Sequence, residues 1–149
     1  MPRIQHSITI RQNPRKVFEI TNDIDRWPLL FKEYHGAQVL KREGGGRFTR
    51  LVFQLTNDEG NSWRSWRLLD HEELVAIAQR DEPLYPFSYM HLKWDYAEVP
   101  EGTKMTWTQD FELDPAYDVP LPTVLERMKA HTRENQQHIK EQIESGNAG

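Results

Sequence analysis

Cysteine is absent from this chain, so neither a disulfide framework nor a thiolate metal site is open to it, and a reducing compartment poses no difficulty. No stretch approaches the ~18 consecutive apolar residues of a spanning helix. The opening Met1-Pro2-Arg3-Ile4-Gln5-His6 lacks the basic start and long apolar run of a secretory signal. These absences lead to the expectation of a soluble, cytoplasmic protein with no membrane partner. Positive charge is also short: the formal net charge of -4 argues against a nucleic-acid binder, which needs clustered Lys and Arg to displace phosphate counterions. The local exception is Lys41, Arg42, Arg47 and Arg50 around Gly44-Gly45-Gly46, a small basic rim that suits either an acidic partner or, as is more ordinary for charged residues on an exposed turn, a solvated hairpin end. The six histidines show no His-Glu-x-x-His spacing, and no G-x-G-x-x-G or P-loop run occurs. Neither a metal nor another cofactor is expected.

What is present is aromatic. Five Trp, five Tyr and six Phe concentrate apolar area into few side chains, able to fill a core or wall a cavity. With 149 residues the chain suits one domain, expected over 1–145 with a frayed tail at 146–149. Ile4, His6, Ile8 and Ile10 alternate with polar residues as in a half-buried strand. Asn13-Pro14 then reads as a helix cap followed by proline at the first helical position, with Val17, Ile20 and Ile24 at helical spacing. A second short helix is expected around Pro28 to Glu33. From Ala37 to Leu113, turn residues at 44–46, 57–60, 70–71 and 100–102 divide the chain into about six strands. In the last of them Met105, Trp107, Gln109, Phe111 and Leu113 share the interior face. Beyond Pro120, Leu121, Val124, Leu125, Met128, Thr132, Asn135, Ile139 and Ile143 form the apolar stripe of a long helix. The expected fold is α+β: a curved antiparallel sheet of about seven strands gripping a long C-terminal helix, with two short helices after the first strand.

The interior stripes carry polar residues. Gln109 lies between Trp107 and Phe111, and Asn135 between Met128 and Ile139; a buried amide without a partner costs roughly 1 to 3 kcal/mol, so each needs a structural partner or a ligand. In Trp63-Arg64-Ser65-Trp66-Arg67, strand alternation puts Trp63, Ser65 and Arg67 on one face and Arg64 and Trp66 on the other. Whichever face is interior carries an arginine near a tryptophan, and the pattern leaves both open.

The run Thr21-Asn22-Asp23-Ile24-Asp25-Arg26-Trp27-Pro28-Leu29-Leu30-Phe31-Lys32-Glu33-Tyr34 resembles the corresponding segment of bacterial aromatic polyketide aromatase/cyclases of the tetracenomycin and spore-pigment type, within the START-like SRPBCC superfamily. The resemblance continues through Trp63, Ser65 and Arg67, Pro86-Phe87-Ser88-Tyr89-Met90 with Trp94, Trp107-Thr108-Gln109-Asp110-Phe111, and Thr132-Arg133-Glu134-Asn135. It implies a helix-grip fold with a deep pocket that receives a poly-β-ketone tethered to an acyl carrier protein beside a minimal polyketide synthase. It also implies first-ring aldol closure of the C9–C14 type followed by aromatisation. By the same resemblance Arg67 points into the pocket and Tyr34 works with it as catalytic residues. Ser65 stands beside them, and Trp27, Phe31, Trp63, Arg80, Phe87, Met90, Trp94, Trp107, Gln109, Met128, His131 and Asn135 contact substrate. Trp66 and His131 depart from the family pattern, which bears on regiospecificity.

These residue types suit aldol closure. Aromatic walls restrict the chain, with proximity contributing roughly 7 to 11 kcal/mol in favourable cases. A fixed guanidinium favours an enolate or alkoxide over the neutral ketone, and a phenol, directly or through water, carries the proton. At least two of the Trp residues are expected to serve packing alone. The competing expectation is a non-enzymatic carrier of a lipid or quinone on the same fold, which needs walls but no charged group at the pocket centre.

Overall fold

A computed structural model describes residues 2–146, so the expected tail lies, Gly146 apart, outside the described residues. Seven antiparallel strands form one sheet in the order β1-β7-β6-β5-β4-β3-β2: β1 Arg3–Ile10, β2 Tyr34–Gly45, β3 Phe48–Asn57, β4 Ser62–Asp70, β5 Val75–Arg80, β6 Phe87–Val99 and β7 Gly102–Leu113. From β2 onward, sequential neighbours pair as a meander, and β1 closes the far edge against β7 with Ile4 opposite Gln109 and Ile10 opposite Thr103. The close approach at that corner requires Gly102, where φ is 141° and a Cβ would collide with the Ile10 carbonyl oxygen.

Helix α1, Pro14–Thr21, begins as expected: the Asn13 side chain accepts from the Lys16 amide at 2.9 Å, and Pro14 occupies the first helical position. The second helical segment is shorter and earlier than expected. A 3-10 turn at Ile24–Arg26 leads into α2, Trp27–Leu30, and Phe31 is already extended. Chain tightening around Trp27 frees Phe31 and Tyr34 from the helix and turns both rings toward the sheet.

The long helix α3, Leu121–Glu144, lies across the concave face, and no described helix is long and apolar enough to cross a membrane. Its stripe departs from expectation at two points. Leu121 is exposed, because it lies a turn ahead of Val124, the first residue to reach the sheet. In the C-terminal half the buried line runs Thr132, Gln136, Ile139 and Ile143, leaving Asn135 half-buried at its margin. This half is moored to β1. Gln136 Nε2 donates to the His6 carbonyl at 3.0 Å while Gln136 Oε1 accepts from His6 Nδ1 at 2.6 Å, a pairing that assigns the imidazole proton to Nδ1. Lys140 Nζ donates to the Thr9 carbonyl at 2.6 Å and to Glu144 at 2.7 Å.

Two apolar clusters result. The larger joins α1, α2 and the C-terminal half of α3 to the sheet around Phe18, Leu30, Phe53, Met105 and Ile139. The smaller gathers Ile4, Met90, Phe111 and Val124 under the start of α3. Between them the helix stands off the sheet.

Candidate active site

The gap between α3 and the sheet is a cavity of about 430 Å³. Strand alternation builds its floor. On β4, Ser65, Arg67 and Leu69 are buried, and Arg64, Trp66 and Leu68 face outward, which resolves the orientation that the pattern left open. Register then sets neighbours: Arg67 lies between Leu51 of β3 and Ala78 of β5, and Ser65 between Phe53 and Arg80. Trp94 of β6 pairs with Trp107 of β7, their rings stacked 4.3 Å apart at 8°.

Arg67 is the largest fully buried side chain among the described residues, 1% exposed. Its guanidinium carbon stands 4.1 Å from the Trp94 ring centroid and 5.1 Å from that of Trp27. Nε donates to Asn22 Oδ1 at 2.8 Å; Nη1 and Nη2, both buried, have no partner among the described residues. Desolvation draws its pKa down to about 10, so it stays a cation at neutral pH. Leaving such a group unpaired is costly, since buried charges are ordinarily paired.

Tyr34 stacks on Trp27 at 5.9 Å and meets Trp63 edge-on at 6.0 Å. Burial pushes the Tyr34 phenol well above its ordinary range, reinforced by the neighbouring Glu33 carboxylate and opposed by Arg67 and Arg80. The group is therefore a proton donor at rest. Arg80 arches over Trp63 at 4.6 Å and donates through Nε to the Pro83 carbonyl at 2.9 Å.

Each residue named in advance for catalysis or substrate contact lies on the cavity lining. Trp27, Phe31 and Tyr34 come from the α2–β2 passage; Trp63, Ser65 and Arg67 from β4; Arg80 from β5; Phe87, Met90 and Trp94 from β6; Trp107 and Gln109 from β7; Met128, His131 and Asn135 from α3. The expectation that two Trp residues would serve packing alone is not met, because Trp27, Trp63, Trp94 and Trp107 all reach the cavity while also packing in or against the larger core. Both interior amides have protein partners: Gln109 Nε2 donates to Thr132 Oγ1 and Asn135 Nδ2 to Glu33 Oε1, each at 2.9 Å. Arg127 and His131 are the exposed lining residues and mark the mouth along α3.

Sequence reasoning missed three residues. Among the described residues Glu33 is the sole carboxylate of the lining, and its Oε2 is 3.6 Å from His131 Nδ1. Asn22 holds Arg67. Gln136, not Asn135, is the fully buried amide of α3. The first two lie inside the Thr21-to-Tyr34 run, whose position beside the interior face was the available signal.

A helix-grip protein with a cation-bearing, aromatic-walled cavity is thus defined. The chain belongs to the polyketide cyclase/dehydrase and lipid transport family, which matches residues 1–144. It is 43% identical over 122 residues to a Streptomyces cyaneus protein provisionally named a polyketide cyclase, covering 78% of this chain and 76% of that one. It is 24% identical over 130 residues to the actinorhodin polyketide synthase bifunctional cyclase/dehydratase of Streptomyces coelicolor, covering 87% of this chain but 40% of the longer relative. The crystal structure of the Zhui aromatase/cyclase from Streptomyces sp. R1128 superposes with a TM-score of 0.74 at 20% identity, covering 99% of this chain and 93% of that one. At that identity the structural likeness speaks for the START-type fold alone.

Proposed function

We propose that this chain is a polyketide aromatase/cyclase. It takes a carrier-protein-bound poly-β-ketone from a minimal polyketide synthase, in the cytoplasm, and closes and aromatises the first ring by joining C9 to C14, without a cofactor. The observation that carries the reading is Arg67: a buried cation on the wall of an aromatic cavity, with two nitrogens that have no partner among the described residues. A carrier of lipids or quinones has no use for that cost. The family and the names of the relatives support cyclase chemistry; of the two departures from the family pattern, His131 lies on the cavity lining and can bear on regiochemistry, whereas Trp66 faces outward from β4 beneath Arg50 and cannot.

The residues suit the steps. A methylene between two ketones loses a proton to a base, for which Glu33 or a water it holds is suited, since Oε1 is occupied by Asn135 and Oε2 accepts no hydrogen bond from the described residues. Arg67 stabilises the enolate oxygen. The enolate carbon attacks a distant ketone, forming the carbon–carbon bond, and Tyr34 protonates the alkoxide, consistent with its raised pKa. Loss of the hydroxyl as water, with a second α-proton, gives the double bond, and enolisation completes the ring. The aromatic walls hold the curled conformer and exclude water.

Reconstitution with a minimal polyketide synthase tests this. The parent is expected to divert products toward first-ring aromatic compounds of one regiochemistry, and Arg67→Ala and Tyr34→Phe to return the profile of the synthase alone. Identical products with and without the parent chain would overturn the proposal.

A further inference from the structure

Asn22 caps the end of α1 and is 6% exposed. Its amide has one possible orientation. Nδ2 donates to the Phe18 carbonyl at 2.9 Å and to the Tyr96 hydroxyl at 3.1 Å, so Oδ1 faces Arg67 Nε. Tyr96 in turn meets Thr21 Oγ1 at 2.6 Å, and Thr21 donates to the Val17 carbonyl at 2.7 Å. Trp27 Nε1 donates to the Thr21 carbonyl at 3.1 Å, so the ring beneath the guanidinium is fixed by the same few residues. Every member of this network is neutral.

A buried arginine ordinarily meets a carboxylate, whose two oxygens match its fork. Among the described residues no Asp or Glu forms an ion pair with Arg67. The acid next in sequence, Asp23, turns outward to Arg26 at 3.0 Å. Asn22 therefore does a carboxylate's positioning without its charge, and it uses only Nε. The remaining donors, Nη1 and Nη2, have no partner among the described residues, and the guanidinium carbon lies 5.1 and 4.1 Å from the ring centroids of Trp27 and Trp94.

We infer that Asn22 is a positioning residue that delivers the Arg67 guanidinium to the cavity with its charge uncompensated, so that the pocket selects the enolate of a 1,3-dicarbonyl over the neutral keto form. Such an enolate is planar and shares one negative charge between two oxygens, the same demand that a carboxylate makes of the fork. A neutral ketone gains far less. The inference rests on the cyclase reading for its ligand class, while its test measures binding alone.

The test is calorimetric titration of the purified chain with lawsone, an enolic naphthoquinone that is an anion at neutral pH, and with its neutral methyl ether. The parent is expected to bind the anion at least about tenfold more tightly, as charge-assisted hydrogen bonds warrant. In Asn22→Asp a carboxylate neutralises Arg67, and the preference is expected to shrink to within about threefold while affinity for the ether holds. Should Asn22→Asp fail to fold, Asn22→Leu decides: loss of the anchor is expected to weaken the anion about tenfold and leave the ether unchanged. A parent without preference, or a preference kept in the folded Asn22 variant, overturns the inference. Arg67→Met separates the two proposals. If it abolishes the preference and the Asn22 variants do not, Asn22 fails and the role of Arg67 stands; failure of the cyclase reading would show only in the product profiles.

Discussion

The guanidinium carbon of Arg67 lies 4.1 Å from the ring centroid of Trp94, which itself stacks 4.3 Å from Trp107. The cation thus rests on a two-ring platform whose negative faces recover part of its lost hydration, roughly 2 kcal/mol for a desolvated pair. That is less than the several kcal/mol of burying an ion. Arg67→Met is accordingly expected to leave stability at pH 7 equal or higher, by up to about 2 kcal/mol, while abolishing cyclisation. Denaturant unfolding beside product profiles checks it; a loss of several kcal/mol would show that Arg67 is a structural residue.

The Tyr34 hydroxyl has no hydrogen-bond partner among the described residues, so its removal should cost little structure. Tyr34→Phe is expected to keep its melting temperature within about 2 °C and to lose turnover by about a hundredfold, the scale of general acid catalysis. Because burial raises the phenol's pKa, the acid form persists upward of the ordinary range. The phenol should therefore add no fall of its own at about pH 10, where an unburied phenol would ionise; the alkaline fall expected there is that of Arg67, whose desolvated guanidinium loses its charge at about 10, and it should appear in parent and variant alike. A fall in rate centred there and absent from the variant would contradict the assignment.

Glu33→Gln retains an oxygen for Asn135 and removes only the charge and basicity. Turnover is expected to fall about a hundredfold with binding of a neutral ligand unchanged. Undiminished turnover would transfer proton abstraction to water alone.

Much of the architecture was legible because periodicity speaks directly to burial. The alternation at Met105, Trp107 and Phe111 and the cap at Asn13-Pro14 both appear as read. The site was harder. Nothing in the order Trp63 to Arg67 says which face is interior, since both carry an arginine and a tryptophan. That is settled by pairing with β3 and β5, where Leu51 and Ala78 flank Arg67. Asn22 was not legible, because its role depends on Tyr96, which lies 74 positions away in the chain. On α3, one residue of helical phase, ~100°, separates Asn135 at the cavity from Gln136 in the core, too little for a stripe of mixed polar and apolar residues to resolve.

Gln136 supplies a stability prediction of its own. It is fully buried and makes two hydrogen bonds to His6, joining α3 to the edge strand β1. Gln136→Ala loses both and leaves a void, and is expected to cost about 2 to 4 kcal/mol. Activity per folded molecule should persist, since the residue faces β1 and not the cavity. A variant of unaltered stability would mean that the helix is held by its apolar stripe alone.

Asp70, the last residue of β4, closes the β4–β5 turn. Arg47 donates to its two oxygens from Nε and Nη2, each at 3.0 Å, and the Glu72 and Glu73 amides both donate to Oδ1 at 3.1 Å. The Arg47 hydrogen bond, aided by those amides, holds its pKa down at about 2 against an ordinary value of 3.8. A carboxylate depressed in the folded state stabilises fully above the unfolded value, and the contribution is lost as pH falls through the folded one. Asp70→Asn keeps the acceptor for the turn amides and removes the charge. The melting-temperature gap between parent and variant is therefore expected to be constant from neutrality to about pH 4 and to close as pH falls toward about 2. A gap that persists undiminished at pH 2 would show that shape, and not charge, is what Asp70 contributes to the turn.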